Sequence, residues 1–217
     1  MRKLAVTAIT VAVGLPCLAS GKSEDGGGIT ARNIFVDMPV PALEILKKTT
    51  RLDMLDYWDA DSVYKASNAL DGLSWLENVT PDYLKVVVTP VSTFELKILP
   101  LKKGNVVMTV YTVGDDSQAQ DSQVEFYDDK LNKLDAKKYF TAPDLSRFFE
   151  IPKGSQTTMK EIKEMIPFPT VAYEASPEND DLKARLTVGE YMDVDNYNIM
   201  KLFLKPEIVL KWSGRYK

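Results

Sequence analysis

Residues 82–113 read DYLKVVVTPVSTFELKILPLKKGNVVMTVYTV, and their periodicity decides the fold. Leu84, Val86 and Val88 recur at every second position. Phe94, Leu96 and Ile98 do the same and alternate with Glu95 and Lys97. A repeat of two is the signature of a strand with one buried face. Lys103-Gly104-Asn105 is a turn signal that feeds the chain into VVMTVYTV. Successive strands joined by short turns pair antiparallel.

The pattern extends in both directions. Downstream, Val124 and Phe126 mark another strand and DDKLNK (128–133) another turn. Upstream, Asp71-Gly72 sits between two short runs in residues 62–80, a hairpin signal. Before that, Pro39 and Pro41 suit the first turn of a helix reaching about Lys48, with Leu43, Ile45 and Leu46 as its apolar face. A second short helix or turn is expected over 51–58. In the C-terminal part, APDLSRFFEIP (142–152) and TTMKEIKEMIP (157–167) are helix-prone. Val171, Tyr173 and Ala175 alternate, as do Leu182, Ala184, Leu186 and Val188. DNYNIMKLFL (195–204) is expected to be a helix capped by Asp195 and closed by Pro206, and EIVLKWSGRY (207–216) a strand with Ile208, Leu210 and Trp212 inward. The expected class is α+β, a mostly antiparallel meander with a few short helices packed on one face. One domain is expected over 33–217, with a division near residue 143 as the alternative.

The N-terminus carries an export pattern. MRK is a basic start, residues 4–15 are an uncharged, mostly apolar run, and small residues follow in CLASG (17–21). That run is shorter than the roughly 20 apolar residues of a spanning helix and fits a cleaved signal peptide over 1–21. Residues 22–32 then form a Gly-rich linker. Ala19 and Gly21 have the spacing of a signal peptidase site. Cys17 is the rival, as a lipidated residue of an outer-membrane lipoprotein, although GLP is not a good lipobox before it. No segment beyond residue 30 is long and apolar enough to span a membrane.

Absences narrow the chemistry. The 217-residue chain contains no histidine, and its one cysteine is Cys17. Ser-His-Asp and Cys-His mechanisms, disulfides and Cys/His zinc sites are therefore excluded from the mature protein. The net charge is −4, and loss of residues 1–21 would remove Arg2 and Lys3 but no acid. A chain of that sign argues against nucleic acid and anionic membranes as partners. No cofactor is implied.

What remains is carboxylate, hydroxyl and aromatic chemistry. GDDSQAQDSQVEFYD (114–128) concentrates acids and amides but lacks the Gly and terminal Glu of an EF-hand loop. Asp115, Asp116 and Asp121 are left as candidates for an irregular calcium site, against a plain solvated loop. YMDVDNYN (191–198) fails the same template. Ser62-Val63-Tyr64-Lys65 matches S-x-x-K, but no S-x-N follows, so it is taken as a chance match. Trp75 and Tyr83 are the candidates for stacking on sugars.

The ordered segments IFVDMP, DMLDYWDA, TPDYLKV, STFELKILPL, VVMTVYTV, DSQVEFYD, APDLSRFFE, EYMD and KPEIVLKW together resemble a family of secreted proteins from Bacteroidales gut bacteria, labelled only as a domain of unknown function. The resemblance spans residues 33–217. It implies a Gram-negative envelope location, periplasmic or secreted, and supplies no catalytic residues. Many members carry a Cys near the position of Gly114 that this chain lacks. It also makes Ser62, in Asp61-Ser62-Val63, a candidate for O-glycosylation. Three functions follow as expectations: a non-catalytic envelope protein binding a protein or glycan partner, a carboxylate-dependent hydrolase of glycan or peptidoglycan, and a calcium-stabilised module.

Overall fold

The structure, a computed structural model, describes residues 29–217 apart from 63, 116–118 and 167. The signal peptide, most of the linker, Cys17 and Asp116 lie outside the described residues.

The chain adopts the expected α+β class. Strands β1 (Ala66–Ser67), β2 (Leu73–Val79), β3 (Tyr83–Thr89), β4 (Ser92–Pro100), β5 (Asn105–Val113) and β6 (Asp121–Tyr127) form one antiparallel sheet in chain order. The pairing of β4 with β5 runs without a slip from Ser92↔Val113 to Pro100↔Asn105. Its turn requires Gly104 at φ 73, a left-handed conformation that costs glycine little. The hairpin at Asp71-Gly72 is present between β1 and β2, with Asp71 at φ 56.

Both faces of this sheet are covered. Leu84, Val86, Val88, Phe94, Leu96 and Ile98 pack against helices α1 (Ala31–Asp37) and α2 (Lys48–Asp59). The opposite face, with Leu99, Val106, Met108, Val110 and Phe126, meets a second antiparallel sheet of β7 (Val171–Ala175), β8 (Leu182–Leu186) and β9 (Ile208–Leu210). Helices α3 (Met159–Met165) and α4 (Val194–Met200) add Ile162 and Met200 to this second core. Glu95 and Lys97, expected on the solvent side of a half-buried strand, are thus only 3% and 1% exposed.

Several local expectations change. The helix expected from Pro39 to Lys48 is a single 3-10 turn over Pro41–Leu43, and regular helix begins only at Lys48. The physical reason is Arg51. Its buried guanidinium donates to the carbonyls of Phe35 (3.1 Å), Met38 (2.9 Å) and Leu43 (2.7 Å), and its Nε to Leu46 (3.0 Å). The Leu43 carbonyl also accepts the Leu46 N–H at 3.0 Å, but the segment lacks the bonds of a continuous helix, and a side chain supplies them. Helix α1, not anticipated, starts at Thr30, whose hydroxyl accepts from Asn33 N–H. Helix α3 opens with the Thr158–Glu161 capping box. Helix α4 is capped by Asp193 rather than Asp195, and it ends at Met200, well before Pro206. Strand β9 stops at Leu210, so Trp212 lies beyond it and donates from Nε1 to the Pro100 carbonyl at 2.8 Å. Among the described residues, no helix is long and apolar enough to cross a membrane.

Candidate functional site

Sheet register assembles the largest concavity described. Across β5 and β6, Thr109 faces Glu125 and Tyr111 faces Gln123; across β4 and β5, Phe94 faces Tyr111. Directly opposed residues share a face of an antiparallel sheet. These side chains therefore converge on the α-helical side, at the end of the sheet that α1 and α2 leave open. The turn Pro39–Ala42, held by Arg51, raises one wall, and Leu131 and Lys133 raise another. The result is a groove of about 410 Å³ with an apolar floor.

One polar cluster is set into its rim. The Glu125 carboxylate accepts from Lys133 Nζ (2.5 Å), Gln123 Nε2 (2.7 Å) and the Tyr127 hydroxyl (2.5 Å). Burial pushes the Glu125 carboxyl up, but the bonds from Lys133 and Tyr127 outweigh it and hold it below the usual carboxylate range. Burial, reinforced by Glu125, raises the Tyr127 phenol. The groove thus offers an ionised acceptor beside an apolar surface, the usual composition of a recognition site.

The joint between the two sheets is a second polar centre. Strand β7 is an edge, and its outward amides are captured by side chains of the large sheet. Val171 N–H donates to Asp121 Oδ1 (3.2 Å), Tyr173 N–H to Ser122 Oγ (2.9 Å), and Ala175 N–H to Glu95 Oε2 (2.8 Å). Thr187 adds a bond from its hydroxyl to the Gln120 carbonyl. Burial pushes the Glu95 carboxyl up to about 8, against the lowering effect of Ala175 N–H and Lys85. Tyr83, hydrogen-bonded to Glu95, is raised by burial and by that carboxylate. Above Glu95 lies a charged cleft of about 250 Å³ that includes Glu174, Lys183, Arg185 and Glu207. Two of its cations are paired, Lys85 with Glu77 at 3.0 Å and Lys183 with Glu207 at 3.7 Å, and Arg185 donates to the Gln120 side-chain carbonyl.

The residues singled out in the sequence are dispersed. Trp75 is half-buried and lines a separate pocket with Trp58, Tyr64 and Ser62. Tyr83 is 2% exposed in the core between the sheets and is not open to a sugar, because the second sheet covers its face. Ser62 is exposed, and its N–H donates to the Tyr57 carbonyl at 3.0 Å. Of the calcium candidates, Asp121 gives Oδ1 to the Val171 amide, and Asp115 lies in the loop after β5. Among the described residues, no three His, Cys, Asp or Glu side chains group as metal ligands would. Tyr111, Gln123, Glu125 and Tyr127 were not foreseen as a site. The signal for them was the alternation in β5 and β6, which becomes informative only once the register is known.

Comparisons with known proteins agree with this architecture. A family model described as protein of unknown function (DUF3256) matches residues 27–216. The chain is also similar to a solved structure of a domain of an uncharacterized protein from Porphyromonas gingivalis W83. That likeness has 22% identity and a TM-score of 0.70, and covers 86% of this chain and 96% of that one. It shows a shared fold. No curated protein matches.

Proposed function

The chain belongs to the DUF3256 family, and from that premise we propose that it is an exported, non-catalytic envelope protein that binds a segment of a partner protein in the groove between Pro39–Ala42 and strands β4–β6. The observation that carries this reading is the groove itself. It has an apolar floor of Phe94 and Tyr111, and Glu125 is held ionised at its rim. Such a surface suits apolar side chains with a basic or amide group nearby, and less so a hydroxyl-rich sugar. The basic-then-apolar start of the sequence supports export.

The hydrolase reading draws on Glu95, buried and near Glu174. Its Oε2 is already used by the Ala175 amide and its carboxyl by Tyr83, so it serves as a structural tie.

The test is crosslinking in the producing bacterium, with a photoreactive amino acid substituted either at exposed Gln123 or at Lys160 on α3. A partner protein captured from Gln123 and not from Lys160, and lost when Tyr111→Ala is added, is the expected result. Equal capture from both positions, or none from Gln123, sinks the proposal.

A further inference from the structure

A second concavity shares no lining residue with the groove. It is a pocket of about 260 Å³ formed where α2 ends and β2 passes beneath it. Two of the chain's three tryptophans, Trp58 from the last turn of α2 and Trp75 from β2, line it together with Tyr64. All three rings are partly exposed. Two of them are braced by a neighbour. Tyr64 stacks on Tyr57 with ring centroids 4.1 Å apart and planes 14° apart. The Lys65 ammonium lies 4.4 Å from the centre of the Trp75 ring, so one face of that indole is occupied and its plane is held.

The rim is polar. Asp61, at φ 50, reverses the chain after α2, and with Ser62 it borders the pocket. The backbone amides of both are bonded, Asp61 N–H to Trp58 O at 3.1 Å and Ser62 N–H to Tyr57 O at 3.0 Å. The Asp61 carboxylate and Ser62 hydroxyl make no bond to another described side chain and are exposed to solvent. Fixed aromatic faces beside uncommitted oxygen groups match an amphipathic ring. In a gluco-configured pyranose the hydroxyls are equatorial. The axial C–H bonds therefore form flat apolar faces that stack on indole, while the hydroxyls reach outward to acceptors. The pocket is smaller than most drug-sized sites, which favours one such ring over a protein anchor in a broad interface.

We propose that this pocket binds one gluco-configured pyranose of a glycan, with Trp58, Trp75 and Tyr64 stacking on its C–H faces and Asp61 and Ser62 hydrogen-bonding its hydroxyls. The site is independent of the groove.

The test uses the full chain with cellobiose and with the β-1,4-linked dimer of N-acetylglucosamine, followed by calorimetry and saturation-transfer NMR on the sugar protons. At least one sugar is expected to bind saturably, with transfer to its ring C–H protons. Trp58→Ala and Trp75→Ala should weaken binding by about tenfold or more. Asp61→Gly, which removes the carboxylate and keeps the left-handed backbone at φ 50, should weaken it too, and Tyr111→Ala in the groove should not. Failure of both sugars to bind saturably overturns the proposal. So does binding that survives both Trp58→Ala and Asp61→Gly, or binding that is lost in Tyr111→Ala instead.

Discussion

The Glu95 carboxyl on β4 accepts the backbone N–H of Ala175 on β7 at 2.8 Å, joining two layers across 80 residues of sequence. Among the described residues no main-chain ladder links the two sheets, so bonds of this kind help set how they sit together. Glu95 is the one buried acid among them.

Burial of this carboxyl makes stability depend on pH. The Glu95 carboxyl stands at about 8 in the fold against 4.5 as an ordinary glutamate. Between those values the folded chain holds a proton that the unfolded chain releases. The contribution is therefore fully present below about 4.5 and lost as pH rises through about 8. Thermal melts across that window should show a falling melting temperature, and Glu95→Gln, which keeps an oxygen for Ala175, should flatten the slope. Glu95→Ala orphans the amide and should cost about 1–3 kcal/mol at low pH, a difference that narrows as pH rises toward about 8. A profile that is equally steep in Glu95→Gln would assign the slope to another group.

Arg51 predicts a different kind of loss. Its fork donates to carbonyls of five separate residues of the 35–46 segment. A lysine has the charge but not the geometry. Arg51→Lys should lower unfolding free energy by roughly 2–4 kcal/mol and loosen the Pro39–Ala42 wall, so partner capture from Gln123 should fall with it. Denaturant titration beside the crosslinking assay checks both, and a stable variant with full capture would contradict the account.

At the groove rim, Tyr127→Phe removes one donor from Glu125. The Glu125 carboxyl should then move back up toward the ordinary range. Because it is depressed in the fold, its stabilisation is present above about 4.5 and lost as pH falls below that value. NMR titration of the Glu125 side chain, wild type against Tyr127→Phe, reads the shift directly. An unchanged midpoint would mean that Lys133 alone holds the charge.

For the calcium reading, the engagement of Asp121 with the Val171 amide predicts a melting temperature that does not move with millimolar calcium or with a chelator. A rise that grows with calcium concentration would be the mark of a bound native state and would restore that reading.

The meander from β2 to β6 was legible because period-two alternation and turn residues act locally. The second sheet was legible as strands but not as a cover. Glu95 and Lys97 look like solvent-facing positions because the layer that buries them comes from residues some 80 positions away, and no local pattern encodes it. The same remoteness hid Tyr83. Trp75 was found from its residue type alone, but Trp58 and Tyr64 joined it only through the packing of α2 on β2. The helix after Pro41 is shorter than its sequence predicts for another reason: a single buried arginine supplies bonds that a longer helix would have made.

The stitching of β7 has one more consequence. An unpaired strand edge is a template on which other chains can extend a sheet. Here the outward amides of Val171, Tyr173 and Ala175 are already held by Asp121, Ser122 and Glu95, so an incoming strand finds no free donors along that edge. The side chains that join the layers therefore also act as a guard against polymerisation. Variants that remove them together should be judged as much by the aggregates they seed as by the stability they lose.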